Sequence, residues 1–276
     1  KIVPPAKDGL ANIELLKKII TRKTALVAVT HLSNVTGIVC PLDDVINFAH
    51  KKGALVLVDD AQYIVSHKEN VTASGIDFSA FSGHKLGGPT GIGVLYGRKE
   101  LLKKMLPYHV GGGTVKSVSV LGSNIKVDYL PPPFKFEAGV QHHAGIIGLG
   151  ATIEFLERIG IRKINDYLEE LAEYTLQKLS SRSYIGYMAD YERHKPSSLV
   201  SFFFKNKELS LQDFNLFLNH QLPDYFIAVR CGHHCAMPFH KFANIPISMR
   251  LSFFIYNTKS EIDVFFRALD KYFQNK

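Results

Sequence analysis

Polar side chains that could do chemistry follow three predicted strands, at the point where each strand ends. They stand in residues 31–34 (His-Leu-Ser-Asn), 59–62 (Asp-Asp-Ala-Gln) and 82–85 (Ser-Gly-His-Lys). A single lysine is usually a solvated surface group, and a single aspartate after a strand is often only a helix cap. In α/β sheets, however, ligands bind beyond the carboxyl ends of the strands. The three segments would therefore bring a carboxylate, an amide, a hydroxyl, an imidazole and an amine to one edge, where glycines allow close backbone approach.

This combination of groups suits pyridoxal 5'-phosphate (PLP). The cofactor needs an amine for its aldehyde and a carboxylate that keeps its ring nitrogen protonated, so that the ring can withdraw electrons. It also needs hydroxyl and imidazole donors for its phosphate. The sequence therefore predicts a PLP site at this edge of the sheet.

The elements that would position these groups form an α/β pattern. The apolar run 25–31 is rich in β-branched residues and predicts a strand buried on both faces. A helix over 41–53 and a second buried strand over 54–59 complete a βαβ unit. Further predicted strands are 77–81, 92–96, 199–204, 227–230 and 249–256, and further helices are 152–179 (broken near Gly160), 211–220 and 260–272, with Ser210 and Thr258 near the expected N-caps. We expect an α/β protein with a mostly parallel sheet in a large domain (1–158) and a smaller α+β domain (159–276).

Composition narrows the class of protein. Apolar residues make up 46% and charged residues 21% of the 276 residues, which is ordinary for a globular enzyme, and no apolar run is long enough to cross a bilayer. The net charge is +8, but the lysine pairs are short and spread along the chain, so solvated helix faces are favoured over nucleic-acid binding. Three cysteines do not form a disulfide framework in a chain of this size. We therefore expect a cytoplasmic protein, and the alternative is an organelle. Cys40 and Cys231 are interpreted as structural.

Five segments, in order along the chain, resemble the class V PLP-dependent cysteine desulfurases. The resemblance is to their group II branch, which includes sulfur-mobilisation enzymes and selenocysteine lyases, and it covers essentially the whole chain. The segments are residues 30–37, 58–62, 81–93, 136–139 and 229–238. The most specific parts are Ser-Gly-His-Lys at 82–85 and His-His-Cys-Ala-Met-Pro at 233–238. The resemblance implies the PLP-dependent transferase (aspartate aminotransferase-like) fold.

The resemblance also implies which residues would hold the cofactor. Lys85 would bind it covalently and move the proton on the substrate's Cα. Asp59 would pair with the pyridinium nitrogen and Gln62 with the ring hydroxyl. Ser82 and His84 would contact the phosphate.

For the substrate, the resemblance implies L-cysteine. Arg250 would bind the substrate carboxylate with help from Asn34, and Arg230 would line the pocket. Cys235 would attack the substrate sulfur, which leaves a persulfide on the enzyme and alanine as product. The implied context is iron–sulfur cluster assembly, with a sulfur-acceptor protein as partner and a homodimer as the assembly.

Cys235 has two other possible roles. The thiol could be a small buried hydrophobe, but a polar His-His-Cys turn is a poor place to bury a side chain. It could bind zinc with His233, His234 and His240, but adjacent residues chelate one tetrahedral ion badly. A reactive thiol is favoured, activated by cationic or hydrogen-bonding neighbours, and no metal site is expected.

The chain departs from the family pattern at several points. Val140 stands where a threonine usually reaches the partner subunit's phosphate, Asp60 where glycine is usual, and Cys231 where threonine or serine is common. The resemblance also implies a preceding segment with a phosphate loop and a histidine that stacks on the cofactor ring, so we expect residues 1–276 alone to bind PLP weakly or not at all. Alternative functions are a selenocysteine lyase, another class V enzyme that does not use Cys235, and a non-catalytic relative.

Overall fold

The first of two four-stranded sheets carries the parallel strands. The computed structural model describes residues 1–220 and 226–274. The sheet has the order β1-β2-β3-β4, with β1 to β3 parallel and β4 antiparallel to β3. Its strands are Leu26–Thr30 (β1), Leu55–Asp59 (β2), Phe78–Ser82 (β3) and Gly93–Gly97 (β4). The predicted βαβ unit is thus confirmed, and each of the four predicted strands agrees to within one residue at either end. The prediction that the first strand is buried on both faces is wrong, because Leu26 and Ala28 on one face of β1 are exposed.

The register of this sheet brings the ends of β1 and β2 level, and β3 extends two residues further. Thr30 pairs with Asp59, and Asp59 pairs with Ala80. The crossover helix α2 (Leu42–Lys51) packs its apolar face on β2, where Val56 and Val58 are fully buried. Burial of such side chains stabilises the unit by roughly 1.5–3 kcal/mol each. The strand ends are therefore held at one edge by a rigid layer.

The second sheet is antiparallel and belongs to the C-terminal part of the chain. An exposed hairpin, Val115–Leu121 (β5) with Asn124–Tyr129 (β6), precedes it. The sheet has the order β7-β8-β10-β9, formed by Ile185–Tyr187 (β7), Leu199–Phe204 (β8), Arg230–Gly232 (β9) and Ser248–Ser252 (β10). Its core contains the fully buried rings of Phe202, Phe214 and Phe265.

Helices surround the two sheets. They are Ile13–Ile19 (α1), Leu42–Lys51 (α2), Lys99–Lys104 (α3), His143–Ile159 (α4), Ile161–Ser180 (α5), Leu211–His220 (α6), Met237–Ala243 (α7) and Lys259–Gln274 (α8). The predicted helix 152–179 is two helices, because Gly160 has φ +96° between them. In the described part of the chain, none is long and apolar enough to span a membrane. The domain boundary at residue 158 stays a prediction.

Both predicted N-caps are confirmed. Ser210 Oγ accepts from the N–H of Asp213 at 3.1 Å. Thr258 and Glu261 form a reciprocal capping box, in which the Glu261 N–H donates to Thr258 Oγ1 at 3.3 Å and the Thr258 N–H donates to Glu261 Oε2 at 2.9 Å.

Two predicted strands of the second sheet were wrong in extent. The strand predicted over 227–230 is displaced to Arg230–Gly232, because these are the residues that pair with β10 on the side opposite β8. The strand predicted to reach residue 256 ends at Ser252. Past that point Asn257 Oδ1 accepts from the Phe254 N–H at 2.9 Å, and this bond closes a turn.

Candidate active site

The end of β2 presents a carboxylate at the edge of the first sheet. Asp59 is the last residue of the strand and is exposed; its Oδ1 accepts from the N–H of Ala61 at 3.0 Å. Gln62 follows and leads into a 3₁₀ turn at Tyr63–Val65. This turn contacts a second 3₁₀ turn, Gly83–Leu86, which follows β3. The Asp59–Gln62 segment therefore lies beside the turn that contains the predicted cofactor lysine.

The turn Gly83–Leu86 presents the amine. Lys85 is half-buried, and its amine makes no hydrogen bond or ion pair with the residues that the structure describes. Leu86 is buried together with Leu149 of α4 in the hydrophobic core that also contains Phe202 of the second sheet. Gly87 closes the turn with φ +84°, a conformation that favours glycine, and a Cβ there would lie 3.4 Å from the Phe254 ring. Lys85 is thus presented from a fixed backbone and follows a half-buried Ser82 and an exposed His84 along the chain.

Two arginines and a thiol come together on the second sheet. The β9–β10 register pairs Arg230 with Arg250. Arg230 Nη2 lies 3.9 Å from the Sγ of Cys235, which is exposed. The buried-hydrophobe interpretation of Cys235 is therefore wrong.

The other two cysteines differ from Cys235 in their burial. Cys40 is buried, and its desolvation raises the pKa of the thiol to about 11. Cys231 is half-buried, and burial raises its pKa as well. Neither thiol offers an accessible thiolate near neutral pH, which agrees with a structural interpretation of both.

Asn34 connects the end of β1 to this second group of residues. Its Nδ2 donates to the carbonyl of His234 at 2.6 Å, and its own carbonyl accepts from Arg250 Nη1 at 2.9 Å. Burial, and then the positive charge of Arg230, lower the pKa of Arg250. The Nε of Arg250 is buried and has no partner among the described residues. Because an unpaired buried N–H is costly, this guanidinium is suited to an anionic ligand.

Sequence reasoning missed a buried polar cluster behind Asp59. Asp60 is 1% exposed; it accepts from Ser79 Oγ, and its Oδ1 lies 2.6 Å from His31 Nδ1. The His31 ring stacks on Tyr63 at 3.4 Å between centroids, and Glu69 Oε2 lies 3.5 Å from Nδ1. Within residues 1–220 and 226–274, His31, Asp60 and Glu69 are the one group of potential metal ligands within 4.8 Å of one another. Successive strand residues face opposite sides, so the carboxylate of Asp60 points away from that of Asp59. The signal available in the sequence was a second acidic residue directly after a buried strand.

Comparison with known proteins gives the family. The family model described as "Aminotransferase class-V" matches residues 1–265. The chain belongs to this family. Class-V relatives include a protein named "Probable cysteine desulfurase" from Halalkalibacterium halodurans, 42% identical over 269 residues that make up 98% of this chain and 63% of the relative. A protein named "Cysteine desulfurase" from Escherichia coli is 39% identical over 95% of this chain and 62% of its own length.

Two solved structures of proteins named cysteine desulfurase have the same fold. An Escherichia coli cysteine desulfurase with an S-sulfonic acid superposes with a TM-score of 0.89 at 37% identity, over 99% of this chain and 65% of the other. The apo cysteine desulfurase from Thermococcus onnurineus also gives a TM-score of 0.89, at 33% identity, over 100% of this chain and 66% of the other. The predicted fold is therefore confirmed. The chain spans about 62–63% of the length of the curated relatives it matches.

Proposed function

We propose that this protein is a PLP-dependent cysteine desulfurase that converts L-cysteine to L-alanine and takes the sulfur onto Cys235 as a persulfide. The observation that carries the proposal is one arrangement of three residues. An exposed Cys235 thiol lies 3.9 Å from Arg230, which pairs across the sheet with a half-buried Arg250. An exposed cysteine thiol is accessible as a nucleophile. The similarity to proteins named cysteine desulfurase supports the same reaction.

The residues at the edge of the first sheet fit PLP. The half-buried Lys85 amine is unpaired among the described residues, which suits an amine that must react with an aldehyde. The exposed Asp59 carboxylate accepts only one short-range N–H there and can still bind a protonated ring nitrogen, with Gln62 beside it for the ring hydroxyl. Ser82 and His84, on the Lys85 turn, would hold the phosphate. When bound, PLP supplies a ring that withdraws electrons from the substrate's Cα.

Arg250 would recognise the substrate's carboxylate. Its Nε is buried without a partner among the described residues, whereas Nη1 is fixed on the carbonyl of Asn34 at 2.9 Å. A planar guanidinium can present two parallel N–H groups to a carboxylate, which fixes the orientation of an amino acid. The substrate's amino group and Cα would then face Lys85, which would remove and return the Cα proton.

Cys235 would receive the sulfur. Attack of its thiolate on the substrate's sulfur forms the S–S bond and breaks the C–S bond of the substrate. The electron pair of the broken bond stays with Cβ, which is protonated to give the methyl group of alanine. Arg230, whose Nη2 lies 3.9 Å from the sulfur, would hold Cys235 in place for the attack.

The proposal extends to partners. An exposed Cys235 is open to a thiol of a sulfur-acceptor protein of iron–sulfur cluster assembly. We also infer a homodimer, because the hairpin β5–β6 exposes Val120, Leu121 and Ile125 at 66–74%. Val140, 94% exposed, offers no hydroxyl to a partner's phosphate. The cytoplasmic location stays a prediction.

The test is product analysis on the natural full-length protein. We expect alanine and persulfide sulfur in equal amounts from L-cysteine, together with visible absorbance from bound PLP. Selenide release from selenocysteine without alanine from cysteine would assign a selenocysteine lyase instead. Absence of visible absorbance after incubation with PLP would favour a non-catalytic relative.

A further inference from the structure

A serine at the start of β10 lies between two buried histidines. Ser248 Oγ is 3.0 Å from Nε2 of His234 and 2.9 Å from Nε2 of His240. All three side chains are at most 2% exposed. His234 precedes Cys235 in the loop, and His240 lies on α7, which follows it. The serine therefore joins the residue before the thiol to the helix after it.

The hydrogen-bond partners fix where each proton lies. His240 Nδ1 faces the carbonyl of Ala236 at 3.1 Å, and a carbonyl can only accept, so Nδ1 carries the hydrogen. Burial lowers the pKa of His240, so the ring is neutral near pH 7 and its Nε2 accepts from the Ser248 hydroxyl. A hydroxyl has one hydrogen, so Ser248 must accept from Nε2–H of His234. Burial, and then the charge of Arg250, lower the pKa of His234 to about 4, which keeps that ring neutral too.

This chain of bonds ties down both neighbours of Cys235. It runs from His234 through Ser248 and His240 to the carbonyl of Ala236, and these two loop residues flank the thiol. His234 and Cys235 have φ of +52° and +60°, in the left-handed region that is strained for residues with a Cβ. Two successive residues in this region persist only when the surroundings hold them. The bonds through Ser248 supply such a restraint.

We propose that Ser248 and His240 are positioning residues, which touch neither substrate nor cofactor but hold the Cys235 loop in the conformation that places its thiol beside Arg230. The proposal deepens the proposed desulfurase function and rests on it for its consequence in turnover. Its structural part, the restraint of the loop, is independent of the reaction.

The experiment compares Ser248→Ala with Ser201→Ala in the natural full-length protein. Ser201 is a matched control: it is fully buried on the neighbouring strand β8, and its hydroxyl has no partner among the described residues. In Ser248→Ala we expect amide hydrogen exchange of residues 232–237 to accelerate about tenfold or more. We also expect kcat for cysteine to fall about tenfold with KM within twofold, because Arg250 is unchanged. Ser201→Ala should leave both quantities unchanged.

Further variants and outcomes separate the two proposals. Ser248→Thr keeps the hydroxyl and should show the wild-type rate of loop exchange and the wild-type kcat. His240→Phe keeps a buried ring without nitrogens. It should show the faster exchange and lower kcat expected of Ser248→Ala, and it replaces Ser248→Ala in the test if Ser248→Ala fails to fold. Wild-type loop exchange and kcat in folded Ser248→Ala would overturn the positioning role. If the wild-type protein makes no alanine but Ser248→Ala still accelerates loop exchange, the proposed function fails and the positioning role stands.

Discussion

The change Arg250→Lys tests how the substrate's carboxylate is bound. Lysine keeps the positive charge but replaces a planar group of five N–H donors with a single ammonium. In the structure, the guanidinium donates Nη1 to the carbonyl of Asn34 at 2.9 Å and keeps a buried Nε for a ligand. One ammonium on a flexible stem cannot reproduce both directions. The variant must give up the Asn34 bond or the bidentate contact with the carboxylate.

The loss can be estimated from the bond that is given up. A hydrogen bond to a charged group contributes about 1.5–3 kcal/mol, and 1.4 kcal/mol corresponds to about a factor of ten. We therefore expect Arg250→Lys to lower kcat/KM for cysteine roughly 10- to 150-fold. The reaction should remain measurable because the charge is retained.

The assay is steady-state alanine formation with the cofactor's visible spectrum recorded in parallel. The spectrum should not change, since Arg250 does not hold the cofactor in the proposed site. Arg193→Lys is the control: that side chain is 78% exposed, its ion pair with Asp190 is 3.4 Å long, and kcat/KM should be unchanged. A kcat/KM within threefold of wild type in folded Arg250→Lys would refute the assignment of the carboxylate site.

Three further predictions concern a lysine and two cysteines. Lys85→Ala should abolish borohydride-trapped PLP and alanine formation; a reduced, labelled peptide that lacks residue 85 would contradict the assignment. Cys235→Ser should keep the visible spectrum and lose persulfide formation, and full cysteine turnover in this variant would remove Cys235 from the reaction. Burial raises the pKa of the Cys40 thiol from 9.0 to about 11. The contribution of the buried neutral thiol to the free energy of unfolding is therefore complete below pH 9 and is lost as the pH rises through 11. Cys40→Ala should therefore have a shallower decline in unfolding free energy over this range, measured with denaturant; parallel curves would contradict the buried thiol.

Much of the first sheet was predictable because the pattern of apolar and polar residues along its strands agrees with the positions of those strands in the fold. The run 54–59 is apolar and β-branched because β2 is covered on one face by α2, and its end is marked by the first acidic residue, Asp59. The loop around Cys235 was recognised from the resemblance of residues 229–238 to the family and from the polar residues beside the thiol. In both places the sequence carried the decisive signal within a few residues.

What could not be predicted depends on distant partners. The extent of β9 is set by pairing with β10, almost twenty residues later, and not by the apolar residues at 227–229. The contact of Asn34 with His234 joins residues 200 positions apart. The link between His234 and His240 depends on Ser248, whose type alone suggests nothing but a small polar residue. Such relations arise only from tertiary contacts, within the second sheet and between the two sheets.

The two adjacent carboxylates at the end of β2 have a consequence for the folding of this protein. Asp59 must remain accessible, and Asp60 must lie under the sheet with His31 and Ser79 as partners. A slip of β2 by one residue would exchange them, because side chains alternate along a strand. The slipped form would bury an aspartate without its partners and turn the other toward solvent. The two aspartates therefore destabilise a misregistered β2, the strand where the cofactor's ring would be held. The register that pairs β2 correctly is also the one that leaves Asp59 accessible.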